Sequence, residues 1–155
     1  MRTIEATPAA AGLRVAVVVS KYNDFVTGRL ETGALAALAK VGVSSGEITV
    51  IRVPGAFEIS LAAHQAAAAG TFDAVVCLGC LIRGATAHFE FIASAVSHGI
   101  TAAAAATGVP ITFGVLTTNS VEEAIERAGE GPANKGWEAA VAAVEMATVI
   151  AQLKS

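Results

Sequence analysis

The stretch LRVAVVVS, Leu13–Ser20, is apolar almost without a break. A strand covered on one face alternates apolar and polar residues. A parallel strand covered on both faces reads as a continuous, Val-rich run like this one. After it, RLETGALAALAKVGV (Arg29–Val43) spaces Leu30, Leu35, Leu38 and Val41 as a helix would. ITVIRVPG (Ile48–Gly55) predicts a second strand, ended by Pro54 and Gly55. FEISLAAHQAAAAG (Phe57–Gly70) predicts a helix stopped by Gly70. FDAVVCLGCLI (Phe72–Ile82) is a third strand, and His88 to about Ala105 is helical. VPITFGVLTT (Val109–Thr118) is a fourth strand. SVEEAIERAG opens with Ser120 and Glu123, spaced as a capping box, and closes at Gly129. NKGWEAAVAAVEMATVIAQLK (Asn134–Lys154) is the last helix.

Strands and helices therefore alternate as βαβαβαβαα. That order predicts one α/β domain over residues 13–155, with a four-stranded parallel sheet and helices on both faces. Residues 1–12 read as a loose N-terminal arm. No linker or long-period repeat divides the chain.

Composition changes this picture in one respect. Of 155 residues, 54% are hydrophobic and only 15% charged, against about 25% charged in ordinary soluble domains. A domain this small has limited interior, so part of the apolar surplus falls on its surface, where large patches become subunit contacts. Self-association is the expectation. The charge balance, 10 Lys and Arg against 13 Asp and Glu, offers no basic stripe for nucleic acid. Phe91–Val121 lacks charge but is broken by Gly99, Gly108, Pro110 and Gly114, so no membrane span is expected. Arg14 interrupts the first apolar run, which predicts a cytoplasmic protein without a signal peptide.

The two cysteines, Cys77 and Cys80, form a CxxC. On a strand, positions three apart face opposite sides. With no second cysteine pair or histidine cluster to complete a metal site, both read as core residues.

Ligands of such sheets bind outside the carboxyl ends of the strands. Four segments meet there: SKYND (Ser20–Asp24), VPGAFE (Val53–Glu58), GCLIRGATAH (Gly79–His88) and FGVLTTNS (Phe113–Ser120). No GxGxxG follows the first strand and no GxxxxGK[ST] occurs, which weakens nucleotide readings. Gly84-Ala85-Thr86 at a helix start offers free N–H groups and the positive dipole end to a phosphate, although a plain strand–helix turn fits equally well. His88, one step on, is placed for proton transfer as a neutral ring; a surface or capping histidine is the alternative. His64 and His98, mid-helix without polar company, read as structural. Arg127 sits in the last turn of its helix, where it either complements the dipole or reaches a phosphate across a cleft. Lys135, just after the N-cap candidate Asn134, opposes the dipole, which points to another task. Glu58 and Glu138 suit their helix starts without one.

VPGAFEI, LGCLIRGATAHFEFI, ITFGVLTTNSVEEAIERAG and NKGWEAA, in this order, resemble the motifs of the lumazine synthase family. The resemblance runs from about Leu13 to the C-terminus. Ala87 and Ser60 stand where the family usually has proline, and Tyr22 where it most often has phenylalanine or tryptophan. A more varied helix end is replaced by TAAAAAT.

The resemblance implies a flavodoxin-like αβα sandwich. It implies condensation of 5-amino-6-ribitylaminouracil with 3,4-dihydroxy-2-butanone 4-phosphate to 6,7-dimethyl-8-ribityllumazine, with no metal or organic cofactor. By the same resemblance Tyr22 stacks on the pyrimidine, with Asn23, Ala56, Phe57 and Glu58 holding it and its ribityl chain. Cys80, Leu81 and Ile82 contact it through backbone, and Lys135 approaches it. Ala85, Thr86 and Arg127 bind the phosphate, His88 moves protons, and Phe113 reaches in from a neighbouring subunit. A pentamer with sites between subunits follows, and its short GEGPAN connection (Gly129–Asn134) resembles that of members closing into 60-subunit icosahedral shells. Riboflavin synthase is a candidate partner. A binder holding the product without turnover, or a purely shell-forming subunit, would need no phosphate clamp. The joint presence of Gly84, Thr86, His88, Arg127 and Lys135 therefore favours the enzyme.

Overall fold

The computed structural model describes residues 1–155. Its elements are β1 (Val15–Ser20), α1 (Asp24–Val41), β2 (Ile48–Val53), α2 (Ile59–Ala68), β3 (Ala74–Ile82), α3 (His88–Thr107), β4 (Ile111–Thr118), α4 (Val121–Arg127) and α5 (Lys135–Lys154). Short 3₁₀ turns at Ser45–Glu47 and Ala56–Glu58 precede β2 and α2. All four strands are parallel, in the order β2-β1-β3-β4. The α/β sandwich that the sequence predicts is the architecture found.

Period-2 alternation sorts the central strands into two cores. Val15, Val17 and Val19 of β1 and Val76 and Leu78 of β3 face α1 and α5. Ala16 and Val18 of β1 and Val75 of β3 face α2 and α3. Every residue of β1 is buried, so its sequence has no polar face to show. The edge strand β2 is only partly covered, and its Arg52 pairs with Glu31 at 2.6 Å. Cys77 packs in one core and Cys80 in the other, so the CxxC pair does face opposite sides. Leu30 and Leu38 of α1 are fully buried, each burial contributing about 1.5–3 kcal/mol.

The boundaries differ from expectation where tertiary contacts decide them. Helix α1 begins at Asp24, five residues before the predicted start, because Asn23 takes a left-handed φ of 63° and turns the chain directly into helix. Its buried stripe includes Gly33, Ala34 and Ala37; small residues at these positions do not announce a buried face. Ser120 caps α4 by accepting from the Glu123 N–H at 3.1 Å. Glu123 returns a bond to the Asn119 N–H, not to that of Ser120. Helix α4 ends at Arg127, and Gly129 does not take a left-handed cap conformation. The arm holds no helix or strand, yet it is tied down. Ala10 is buried in the α1–α5 core, the Thr7 N–H donates to Thr148, and Gln152 donates to the Glu5 carbonyl.

Strand order reverses direction between β1 and β3, and ligands of doubly wound sheets sit in the crevice at that switch. The loops after β1, β2 and β3 border it.

Candidate active site

A cavity of about 450 Å³ opens at this switch point. Three loops make its walls. After β1 come Tyr22 and Asn23, after β2 Gly55, Ala56, Phe57 and Glu58, and after β3 Gly84, Thr86 and His88. Cys80, Leu81 and Ile82 at the end of β3 form its floor.

The loops are laced to one another by backbone bonds. The Lys21 and Tyr22 N–H groups donate to the carbonyls of Val53 and Pro54. The Asn23 amide donates to the Cys80 carbonyl at 3.0 Å. This contact explains the one non-glycine residue at positive φ, since Asn tolerates that conformation and its amide locks it. Tyr22 and Phe57 both line the cavity and stand largely exposed, two aromatic surfaces for a planar ring.

The turn from Gly84 to Ala87 is wholly exposed and leads into α3 with no side-chain cap. With no cap side chain, the Phe89 N–H of the first helical turn is left for an anion, while the Glu90 N–H is held by its own carboxyl. The His88 N–H has a long contact, 3.4 Å, to Thr86 Oγ1. Ala85 stands exposed in this turn without lining the cavity. Arg83, just before it, donates through Nε to Asn119 at 3.0 Å, pairs with Glu90, and lies 4.6 Å from the Phe89 ring. The Glu90 N–H and then the Arg83 guanidinium hold the Glu90 carboxyl below the usual range.

Burial pushes the Cys80 thiol up to about 11 and Cys77 up to about 12. Neither is a thiolate near neutrality, so neither serves as a nucleophile. No group of three or more His, Cys, Asp or Glu side chains is placed to hold a metal ion.

Three expected residues lie elsewhere. Phe113, Arg127 and Lys135 line a separate, more open concavity of about 570 Å³ formed by β4, α4 and α5. Lys135 Nζ pairs there with Glu138 at 2.8 Å. Within one chain, then, the Gly84–Thr86 turn and Arg127 do not meet in one cavity.

The sequence reading did not single out Phe89 and Ile92, which also line the first cavity. Their positions one and four residues after His88 put them on the same helix face, a spacing that was legible. It also left out Arg83, whose partners come from two segments, Asn119 before α4 and Phe89 and Glu90 at the start of α3. His98 has polar company after all, a 3.3 Å contact to Ser94.

Residues 12–151 match the family described as 6,7-dimethyl-8-ribityllumazine synthase. The chain belongs to that family. It is 51% identical over 144 residues to a 6,7-dimethyl-8-ribityllumazine synthase of Syntrophus aciditrophicus (strain SB), covering 93% of this chain and 94% of that one. It is 46% identical over 153 residues to the protein of that name from Desulfatibacillum aliphaticivorans, covering 99% of each. Both matches span the two cavities, so the lumazine synthase assignment takes in the separated cations as well as the His88 loop.

Proposed function

We propose that this chain is a transferase of riboflavin biosynthesis. It condenses 5-amino-6-ribitylaminouracil with 3,4-dihydroxy-2-butanone 4-phosphate to give 6,7-dimethyl-8-ribityllumazine, inorganic phosphate and water. The observation that carries this reading is the coincidence, at the switch point, of an exposed aromatic pair, a helix start without a cap side chain and a histidine in a chain of this family.

The mechanism follows from what each group offers. Tyr22 and Phe57 face the pyrimidine, while Glu58, Asn23 and Ala56, with the Cys80–Ile82 backbone, hold it and its ribityl chain. The Gly84–Thr86 turn takes the phosphate, with Arg127 as the cationic partner. The pyrimidine amines are intrinsically nucleophilic, so holding both substrates together supplies most of the acceleration. Imine formation, phosphate elimination and ring closure each move a proton, and His88 at the rim handles it.

Arg127, Lys135 and Phe113 reach this cavity only from a second copy. A ring in which the β4–α4–α5 concavity of one subunit covers the His88 cavity of the next completes every site, and a pentamer is the proposed ring. The apolar surface supports it: Leu61 and Phe91 are 68% and 76% exposed, and α3 meets the length and composition of a membrane span while mostly unburied. Burying that face against other copies accounts for it without a bilayer. Gly131, at φ 81° beside Pro132, sets the bend between α4 and α5. That short bend supports closure of pentamers into a 60-subunit shell. A cytoplasmic location and riboflavin synthase as partner belong to the same proposal.

Mixing both substrates with the protein and following lumazine absorbance tests the activity; no absorbance change with authentic substrates overturns it. Light scattering tests the assembly. A mass near that of a lone 15.5 kDa chain contradicts sites built between copies.

A further inference from the structure

We propose that Asn134 is the positioning residue that sets Arg127 and Lys135 as one unit. The inference rests on the lumazine synthase reading for the role of those two cations. It rests on the following geometry for Asn134 itself.

Asn134 is 2% exposed, and its amide is bonded on both ends. Oδ1 accepts from the N–H groups of Gly136 at 2.7 Å and Trp137 at 3.1 Å. Nδ2 donates to the carbonyls of Gly129 at 2.8 Å and Arg29 at 3.1 Å. One side chain thus ties the first turn of α5 to the chain leaving α4 and to the backbone of α1.

The space around it is shaped to fit. A Cβ at Gly33 would overlap the Asn134 side chain, and a Cβ at Gly136 would overlap the Leu30 carbonyl. Both glycines are therefore needed for α5 to begin this close to α1.

Capping alone does not explain the residue. An N-cap needs only an acceptor, which Ser, Thr or Asp provides as well. Asn adds two donors at the same reach, and both are spent outside α5. One donation satisfies the Gly129 carbonyl and the other goes to the Arg29 carbonyl. Gly129 lies two residues beyond Arg127, and Lys135 directly follows Asn134. The donor bonds fix the separation of the two cations, which no direct contact between them could do because they repel.

The test uses the assembled, full-length protein. Asn134→Ser keeps a capping acceptor and removes both donations. The KM for the phosphorylated substrate and the inhibition constant for inorganic phosphate are expected to rise about tenfold, the order of two net hydrogen bonds. The kcat is expected to change less. In an Arg127→Ala background the same substitution is expected to change phosphate inhibition by less than about twofold, because the residue it positions is gone. Asn134→Thr, which also keeps a capping acceptor, loses the donors and adds no charge, gives the same readings if the Ser variant does not fold. A lowered melting temperature with both constants unchanged overturns the proposal, as does full additivity with Arg127→Ala. Direct titration with inorganic phosphate separates the two readings. A wild type that binds phosphate without turnover refutes the enzyme assignment, and the Asn134 comparison is still read from that titration.

Discussion

Around the His88 cavity, three loops at the strand ends are held by one another, and the anion turn is braced by an exposed ion pair between Arg83 and Glu90. Around the Arg127–Lys135 concavity, a strand and two helices carry the functional groups, and the brace is the buried Asn134 amide. Exposed pairs are screened and contribute little, whereas a buried, fully bonded amide is costly to break. The half that must admit and release small molecules is thus braced at the surface. In the proposed ring, the half that another copy must find in one fixed geometry is braced in the core.

The largest test of that division is Arg127→Ala. A charge-assisted bond to phosphate makes kcat/KM for the phosphorylated substrate fall about 10–100-fold, with the inhibition constant for inorganic phosphate rising in parallel. The KM for the pyrimidine is expected to hold. Steady-state kinetics with each substrate varied in turn checks this, and equal phosphate inhibition of wild type and variant would detach Arg127 from the anion.

Next in size is His88→Ala. General acid–base groups supply about 10²–10⁴-fold, but amines that are already nucleophilic need less, so turnover is expected to fall roughly tenfold, below that range. Turnover unchanged from about pH 6 to 9, where a histidine proton would matter, removes His88 from the chemistry.

Combining the two variants asks whether the cavities serve one site from two chains. When His88→Ala and Arg127→Ala subunits are co-expressed, roughly a quarter of the interfaces in a randomly mixed ring pair two intact halves. Activity is then expected to rise severalfold above either variant alone. Co-purified mixed assemblies with no more than the average of the two would place both residues in a site within one chain.

The same contrast explains what was legible in the sequence. Strands β1 and β3 showed themselves because burial on both faces leaves no polar position to confuse the pattern. The start of α1 was hidden because Asn23 and Asp24 read as loop residues, and only the bond to the Cys80 carbonyl shows that Asn23 turns the chain into a helix. The arm read as loose because nothing in its residues announces that Ala10 fills a core position. The candidate residues came from motifs, which passed over Phe89 and Ile92, and the resemblance assigned only Phe113 to a neighbouring subunit; that Arg127 and Lys135 lie apart from the His88 cavity was not legible. Sequence order says which groups work together, while the fold decides whether they reach one another within a chain.

The smallest effect belongs to the surface brace. Glu90→Gln removes the charge facing Arg83 and keeps the shape. At neutral pH the KM for the phosphorylated substrate is expected to rise by about twofold or less, as for an exposed ion pair, and the difference is expected to shrink in high salt. The direction with pH follows from the Glu90 carboxyl titrating below its usual range. A depressed carboxyl stays ionised in the folded chain above that lowered value, so the pairing with Arg83 is present there. The pairing is lost as pH falls through that value and the carboxyl takes up a proton. Wild type and Glu90→Gln should therefore differ most near neutrality and converge in acid. Asn134→Ser, whose effect involves no titrating group, should differ from wild type by the same factor throughout. Phosphate titrations of the three proteins from neutral pH into the acid range compare the two braces directly. A Glu90→Gln effect that persists below the carboxylate range, or an Asn134→Ser effect that fades with it, would undo the distinction between a surface brace and a buried one.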